Sequence, residues 1–136
     1  DAVLRTLRAM IRAAVPGKLH RDWQREAEEL LTEECLRLGL LSPREVRRQD
    51  PDRPAVKKYF MHGLGHVIGL DVHDVGFLNE PFAPGWVLTV EPGLYLPREG
   101  FGVRLENLVL ITAEGPVDLL ADVPLEAEAI EAAMRR

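Results

Sequence analysis

A single cysteine, Cys35, is too few for any intrachain disulfide, so the fold must rest on its packed core. That scarcity fits a reducing compartment. Cys35 sits on the apolar side of a helical segment, where a free thiol acts as a small buried side chain. No apolar run approaches the roughly 20 residues needed to span a bilayer. Residues 1–16 also lack the continuous apolar stretch of a signal peptide, although a chain opening on Asp1 rather than Met says little about targeting. The net charge is −5, and no basic cluster stands out. Arg44, Arg47 and Arg48 are offset by Glu45, Asp50 and Asp52, which predicts a solvated helix face rather than a surface for phosphates. Neither nucleic acid nor a membrane is expected as a partner, and the expected location is cytoplasmic. Histidine is scarce too. There are four, and three fall within a short stretch.

What is present suits one soluble domain with a modest core: 136 residues, 46% hydrophobic and 29% charged. Val3, Leu4, Leu7, Met10, Ile11 and Ala14 recur at helical spacing and predict an amphipathic helix over 1–15, ended by Pro16-Gly17. A second helix is predicted over 21–38, with Trp23, Ala27, Leu30, Leu31, Cys35 and Leu38 on one face, glutamates on the other and Gly39 at the C-cap. Ser42-Pro43-Arg44-Glu45 has the form of a capping box with proline at the first helical position, and this short helix should stop near Asp50-Pro51. From Lys57 the period changes. Residues 59–61, 86–90 and 103–111 read as strands, and 124–136 as a closing helix. Eight of the 11 glycines lie between Gly63 and Gly102, where the backbone must bend tightly or approach something closely.

Three segments carry chemistry. The first holds His62, His66 and His73, flanked by Asp71 and Asp74. His62 and His66 have the i, i+4 spacing of helical ligands, but Gly63, Gly65 and Gly69 make a helix costly, at about 1 kcal/mol each. Loops that bring several imidazoles toward one point are the expectation. In the second, Glu91 ends an apolar strand, and Pro92 forces it into an extended conformation. Such a carboxylate either points to water or, if buried, needs a cation. In the third, Arg104 and Glu106 are two apart, on one face of a strand whose other face carries Val103, Leu105, Val109 and Ile111, with Asn107 the exception. By themselves these two read as a cross-strand ion pair. Together with His66 and Glu91, they suggest one histidine and two carboxylates able to hold Mn²⁺, Co²⁺, Zn²⁺ or Fe²⁺.

In this order, His62-Gly-Leu-Gly-His66 with Gly69-Leu-Asp-Val-His-Asp-Val-Gly76, Thr89-Val-Glu-Pro-Gly-Leu-Tyr95 and Gly102-Val-Arg-Leu-Glu106 resemble the aminopeptidase P and prolidase group of the pita-bread metallopeptidases. The resemblance covers essentially the whole chain. It implies an α+β fold, an antiparallel curved sheet with flanking helices, and makes residues 1–136 the C-terminal half of a pita-bread catalytic domain whose upstream half is absent. It implies two divalent ions, usually Mn²⁺ with Co²⁺ or Zn²⁺ as substitutes. His66, Glu91 and Glu106 match metal ligands, with Glu91 also a proton shuttle. His62 and His73 match histidines that contact substrate and stabilise the tetrahedral intermediate, Arg104 an arginine supporting the site, and Tyr95 a tyrosine near it.

The group commonly has Asp where this chain has Asn107. Its two aspartate ligands lie upstream of the first helix, so the site here is expected to be incomplete, with two glutamates and little cation to offset them. The implied activity is that of an Xaa-Pro aminopeptidase, with this fragment inactive alone and a homo-oligomeric state expected. The substrate would be a peptide with proline in second position. An Xaa-Pro dipeptidase of the prolidase type and a non-catalytic peptide-binding module are the alternatives.

Overall fold

The structure is a computed structural model describing residues 1–76 and 79–135. Helix α1 (Ala2–Ala13) lies against α2 (His20–Arg37), and the Trp23 indole N–H on α2 donates to the Met10 carbonyl of α1 at 2.9 Å. Both follow the apolar periodicity within two residues. Gly39 ends α2 in the left-handed region at φ 71°. Its N–H donates to Leu36 O and that of Leu40 to Cys35 O, the bond pair of a Schellman motif. Helix α3 (Pro43–Arg48) carries the full capping box between Ser42 and Glu45. Cys35 is fully buried, and burial, then the adjacent Glu34 carboxylate, push its thiol up to about 11, so it is inert.

Glu34 is a buried carboxylate, held by the Arg5 guanidinium at 2.9 and 2.7 Å and by Arg37 at 3.0 Å. The Arg5 hydrogen bonds, against a weaker opposing effect of burial, set its pKa below the ordinary glutamate value of 4.5. A carboxyl lowered on folding contributes stability above its unfolded value and loses it as pH falls through the folded one. Glu34→Gln is therefore expected to flatten the acid limb of stability below about pH 4.5, read as urea midpoints down to about pH 3.

Five strands follow: β1 (Val87–Val90), β2 (Gly93–Leu96), β3 (Phe101–Arg104), β4 (Asn107–Thr112) and β5 (Gly115–Asp118). They form an antiparallel sheet in the order β1-β4-β5 and a separate antiparallel pair β2-β3. Two strand expectations are corrected here. Residues 59–61 do not form a strand. A 3-10 turn (Ala55–Lys58) continues into Tyr59 and Phe60, whose N–H groups both donate to Val56 O. The run 103–111 is not one strand but β3 and β4, broken at Leu105-Glu106.

The break has a cause on the opposite side. Pro92 has no N–H to offer the ladder, and the Leu105 N–H reaches its carbonyl at 3.4 Å instead. The register survives the gap. Val90 pairs with Asn107 and Gly93 with Arg104, so Glu91 comes opposite Glu106. One face of the β2-β3 pair carries Leu94, Leu96, Phe101 and Val103, which with Leu105, Leu38 and the start of α1 line an apolar groove of roughly 480 Å³. The closing helix is α4 (Ala127–Met134). No helix among the described residues is long and apolar enough to cross a membrane.

Candidate active site

The other face of that strand pair, together with the histidine loop, makes a cleft of roughly 390 Å³ lined by His62, Gly63, Gly65, His66, His73, Glu91 and Arg104. The loop is not helical. It runs as an extended edge along β1: Thr89 N–H donates to His66 O, Glu91 N–H to Leu64 O and Ile68 N–H to Val87 O, at 2.8–3.1 Å. Gly65 permits this approach, since a Cβ there would lie 1.9 Å from the Thr89 carbonyl oxygen.

Hydrogen bonds set the imidazoles. The His66 Nδ1–H donates to Val67 O at 3.0 Å, so in the neutral ring Nε2 keeps its lone pair, 3.4 Å from Glu91 Oε1. His62 Nδ1–H donates to Gly63 O at 2.7 Å, and its Nε2 accepts the Tyr95 hydroxyl at 2.9 Å. Both nitrogens of His62 are thus engaged. His73 stands edge-on to His66 with centroids 4.4 Å apart, exposed, and makes no side-chain hydrogen bond among the described residues.

Glu91 is largely buried, its side chain 14% exposed. Arg104 Nε lies 4.0 Å from Glu91 Oε2 and 3.9 Å from Glu106 Oε2. The expectation of two carboxylates with little cation nearby is therefore corrected. The guanidinium stands between them because Arg104 is the diagonal cross-strand neighbour of Glu91 and two residues from Glu106. The Tyr95 hydroxyl, then the two glutamates, hold Arg104 still more firmly in its charged form. The Tyr95 ring covers Gly93 and Gly102, where a Cβ would come within 2.9 and 2.6 Å of it. Glycine at these two positions is what allows a tyrosine to reach His62.

Asp74 does not join the histidines. Its carboxylate accepts N–H bonds from Val75, Asp71 and Leu70, which lower its pKa and close the turn that carries His73. Sequence reasoning missed Thr89. Its Oγ1 accepts the His66 N–H at 2.9 Å, and the same hydroxyl donates to Glu91 Oε1 at 3.2 Å, tying two candidate ligands together. Its place two residues before Glu91 on one strand face was the available signal. Asn107, the departure beside Glu106, is fully buried. Its Nδ2 donates to both Asp118 oxygens, at 2.9 and 2.8 Å, while its Oδ1 has no partner among the described residues.

Comparison with known proteins turns this geometry into a family. Residues 1–113 match the sequence profile of metallopeptidase family M24. The chain belongs to metallopeptidase family M24. Among M24 relatives, it is 37% identical over 148 residues to Xaa-Pro aminopeptidase of Escherichia coli K12, covering 98% of this chain and 33% of that protein. It is 36% identical over 176 residues to human Xaa-Pro dipeptidase, covering 98% and 35%. Aminopeptidase P from E. coli with the inhibitor Pro-Leu superimposes with a TM-score of 0.87 at 36% identity, and its zinc-substituted form does so equally, each covering 98% of this chain and 33% of the other. The α+β pita-bread fold is thereby established, and this M24 chain spans about a third of the length of the relatives it matches.

An M24 metallopeptidase uses divalent metal, and the residues here fit one side of such a site. The free Nε2 of His66 and the Glu91 carboxylate are borderline nitrogen and hard oxygen donors already adjacent. Glu106 lies across Arg104 from them. No three His, Cys, Asp or Glu side chains among the described residues are close enough to enclose an ion, so the donors of this chain form an edge and not a cage.

Proposed function

We propose that these 136 residues serve in a metal-dependent aminopeptidase that hydrolyses the bond between an N-terminal residue and a following proline. The chain acts as the C-terminal half of the catalytic domain and is inactive alone. The observation that carries this reading is the meeting of three histidines and a largely buried glutamate at one cleft, with the His66 lone pair turned toward Glu91.

In this reading His66, Glu91 and Glu106 hold the metal, manganese in preference to cobalt or zinc. The metal, when bound, supplies a water acidic enough to act as nucleophile near neutral pH. Glu91, with Thr89 fixing one oxygen, carries a proton to the leaving proline nitrogen. His73 donates to the developing oxyanion, being the histidine with an unengaged ring. His62 reaches substrate only by releasing Tyr95, so Tyr95 sets its availability. Arg104 stands between Glu91 and Glu106 and offsets their charge. The protein works in the cytoplasm as a homo-oligomer, the apolar groove beside β2-β3 being buried in the assembled enzyme.

Assaying the whole protein on Xaa-Pro-Xaa and Xaa-Pro peptides with added Mn²⁺ tests the proposal. Release of the first residue from the tripeptide is expected, with the isolated 136-residue chain inactive. Turnover of the dipeptide only would favour the alternative that the 36% identity to human Xaa-Pro dipeptidase suggests. Absence of any metal-dependent turnover would leave a peptide-binding module.

A further inference from the structure

Two side chains on α2, outside the set of site residues above, hold the histidine loop from behind. His20 opens α2 with its ring edge-on to Trp23 and Phe82, centroids 5.9 and 6.5 Å away. From this largely apolar surrounding, its Nε2–H donates to the Gly65 carbonyl oxygen at 3.0 Å. One helical turn further on, Gln24 accepts the Leu64 N–H with its Oε1. The amide of Gln24 is fixed in turn: Nε2 donates to Glu28 Oε1 at 2.6 Å, and Lys57 Nζ donates to the same oxygen at 2.6 Å. On the other side of the loop, β1 takes the Leu64 and His66 carbonyls and the His66 N–H. The Gly65 carbonyl is the group that β1 leaves to α2.

We propose that His20 is a positioning residue. By donating to the Gly65 carbonyl, it fixes the peptide plane that leads into His66, and so the direction in which the His66 ring meets Glu91. Gln24 fixes the Gly63–Leu64 peptide, two units earlier, from the same helix face. Gly65 cannot hold this geometry itself, since it has no side chain and a Cβ would collide with Thr89. The significance for catalysis rests on the reading of His66 as a site residue, but the geometry can be tested independently of any activity.

His20→Phe keeps an aromatic ring against Trp23 and Phe82 and removes the donor. His20→Gln restores an N–H at nearly the position of Nε2. Amide hydrogen exchange of the 136-residue chain, followed by NMR, reads the outcome at Leu64 and His66, with core amides of β4 and the urea midpoint as references. His20→Phe is expected to speed exchange at Leu64 and His66 by about tenfold and to move the His66 ring resonances. The β4 amides should be unchanged, and His20→Gln should return both signals most of the way. Loop exchange unaltered in His20→Phe would overturn the proposal. Loop and core accelerating together would also overturn it, since His20 would then be core filling, as would failure of His20→Gln to restore the loop. A whole protein without peptidase activity would refute the functional reading and leave the exchange result standing.

Discussion

Gly65→Ala is expected to destabilise the chain by about 3 kcal/mol or more and to abolish peptidase activity in the whole protein. The added Cβ would lie 1.9 Å from the Thr89 carbonyl oxygen and 2.8 Å from its carbonyl carbon. Both are backbone atoms of β1, with no flexible side-chain end to give way. Either the loop lifts off β1, breaking the Thr89–His66 and Glu91–Leu64 backbone bonds, or β1 shifts and takes Glu91 with it. Both outcomes separate His66 from Glu91. Gly63 is the control. A Cβ there meets nothing nearer than 3.9 Å, so Gly63→Ala should cost no more than about 1 kcal/mol. Chemical denaturation of the two variants side by side checks this, and equal losses would mean that the close approach at Gly65 is not what holds the loop.

His73→Ala in the whole protein is expected to lower kcat roughly 100- to 1000-fold, the usual effect of removing one oxyanion donor. Stability and metal content should scarcely change. His73 is exposed and bonded to nothing among the described residues, so its loss leaves no buried group unsatisfied. Its contact with His66 is edge-on at 4.4 Å, which constrains the neighbouring ring only weakly. Steady-state kinetics and metal analysis on one preparation separate the roles. Metal and activity lost in parallel would make His73 a ligand instead.

The three motif segments were legible because each contains glycine or proline, whose backbone demands are local, and His62, His66 and Glu91 stand directly beside one. The i, i+4 histidines could be placed on a loop because of the glycines between them, and the loop is what the structure shows. Thr89, His20 and Gln24 act on the histidine loop from a distance in sequence. Their partners at His66, Gly65 and Leu64 lie 23, 45 and 40 residues away; Thr89 has a local signal in sharing a strand face with Glu91, and His20 and Gln24 have none. Asp74 was drawn into the histidine cluster on proximity in sequence, whereas its carboxylate is consumed by the N–H groups of its own turn.

The sequence by itself determined what short-range physics determines. This comprises the span of α2 and its glycine stop, the capping box at Ser42, the burial of Cys35, and the order of motifs that marks the family. Tertiary structure alone decided that 103–111 breaks in two, that Glu91 stands opposite Glu106, and that Arg104 fills the space between them. Strand register is a relation between distant segments, and a proline on one strand interrupts the ladder of its partner. Period-two alternation within either segment contains neither fact.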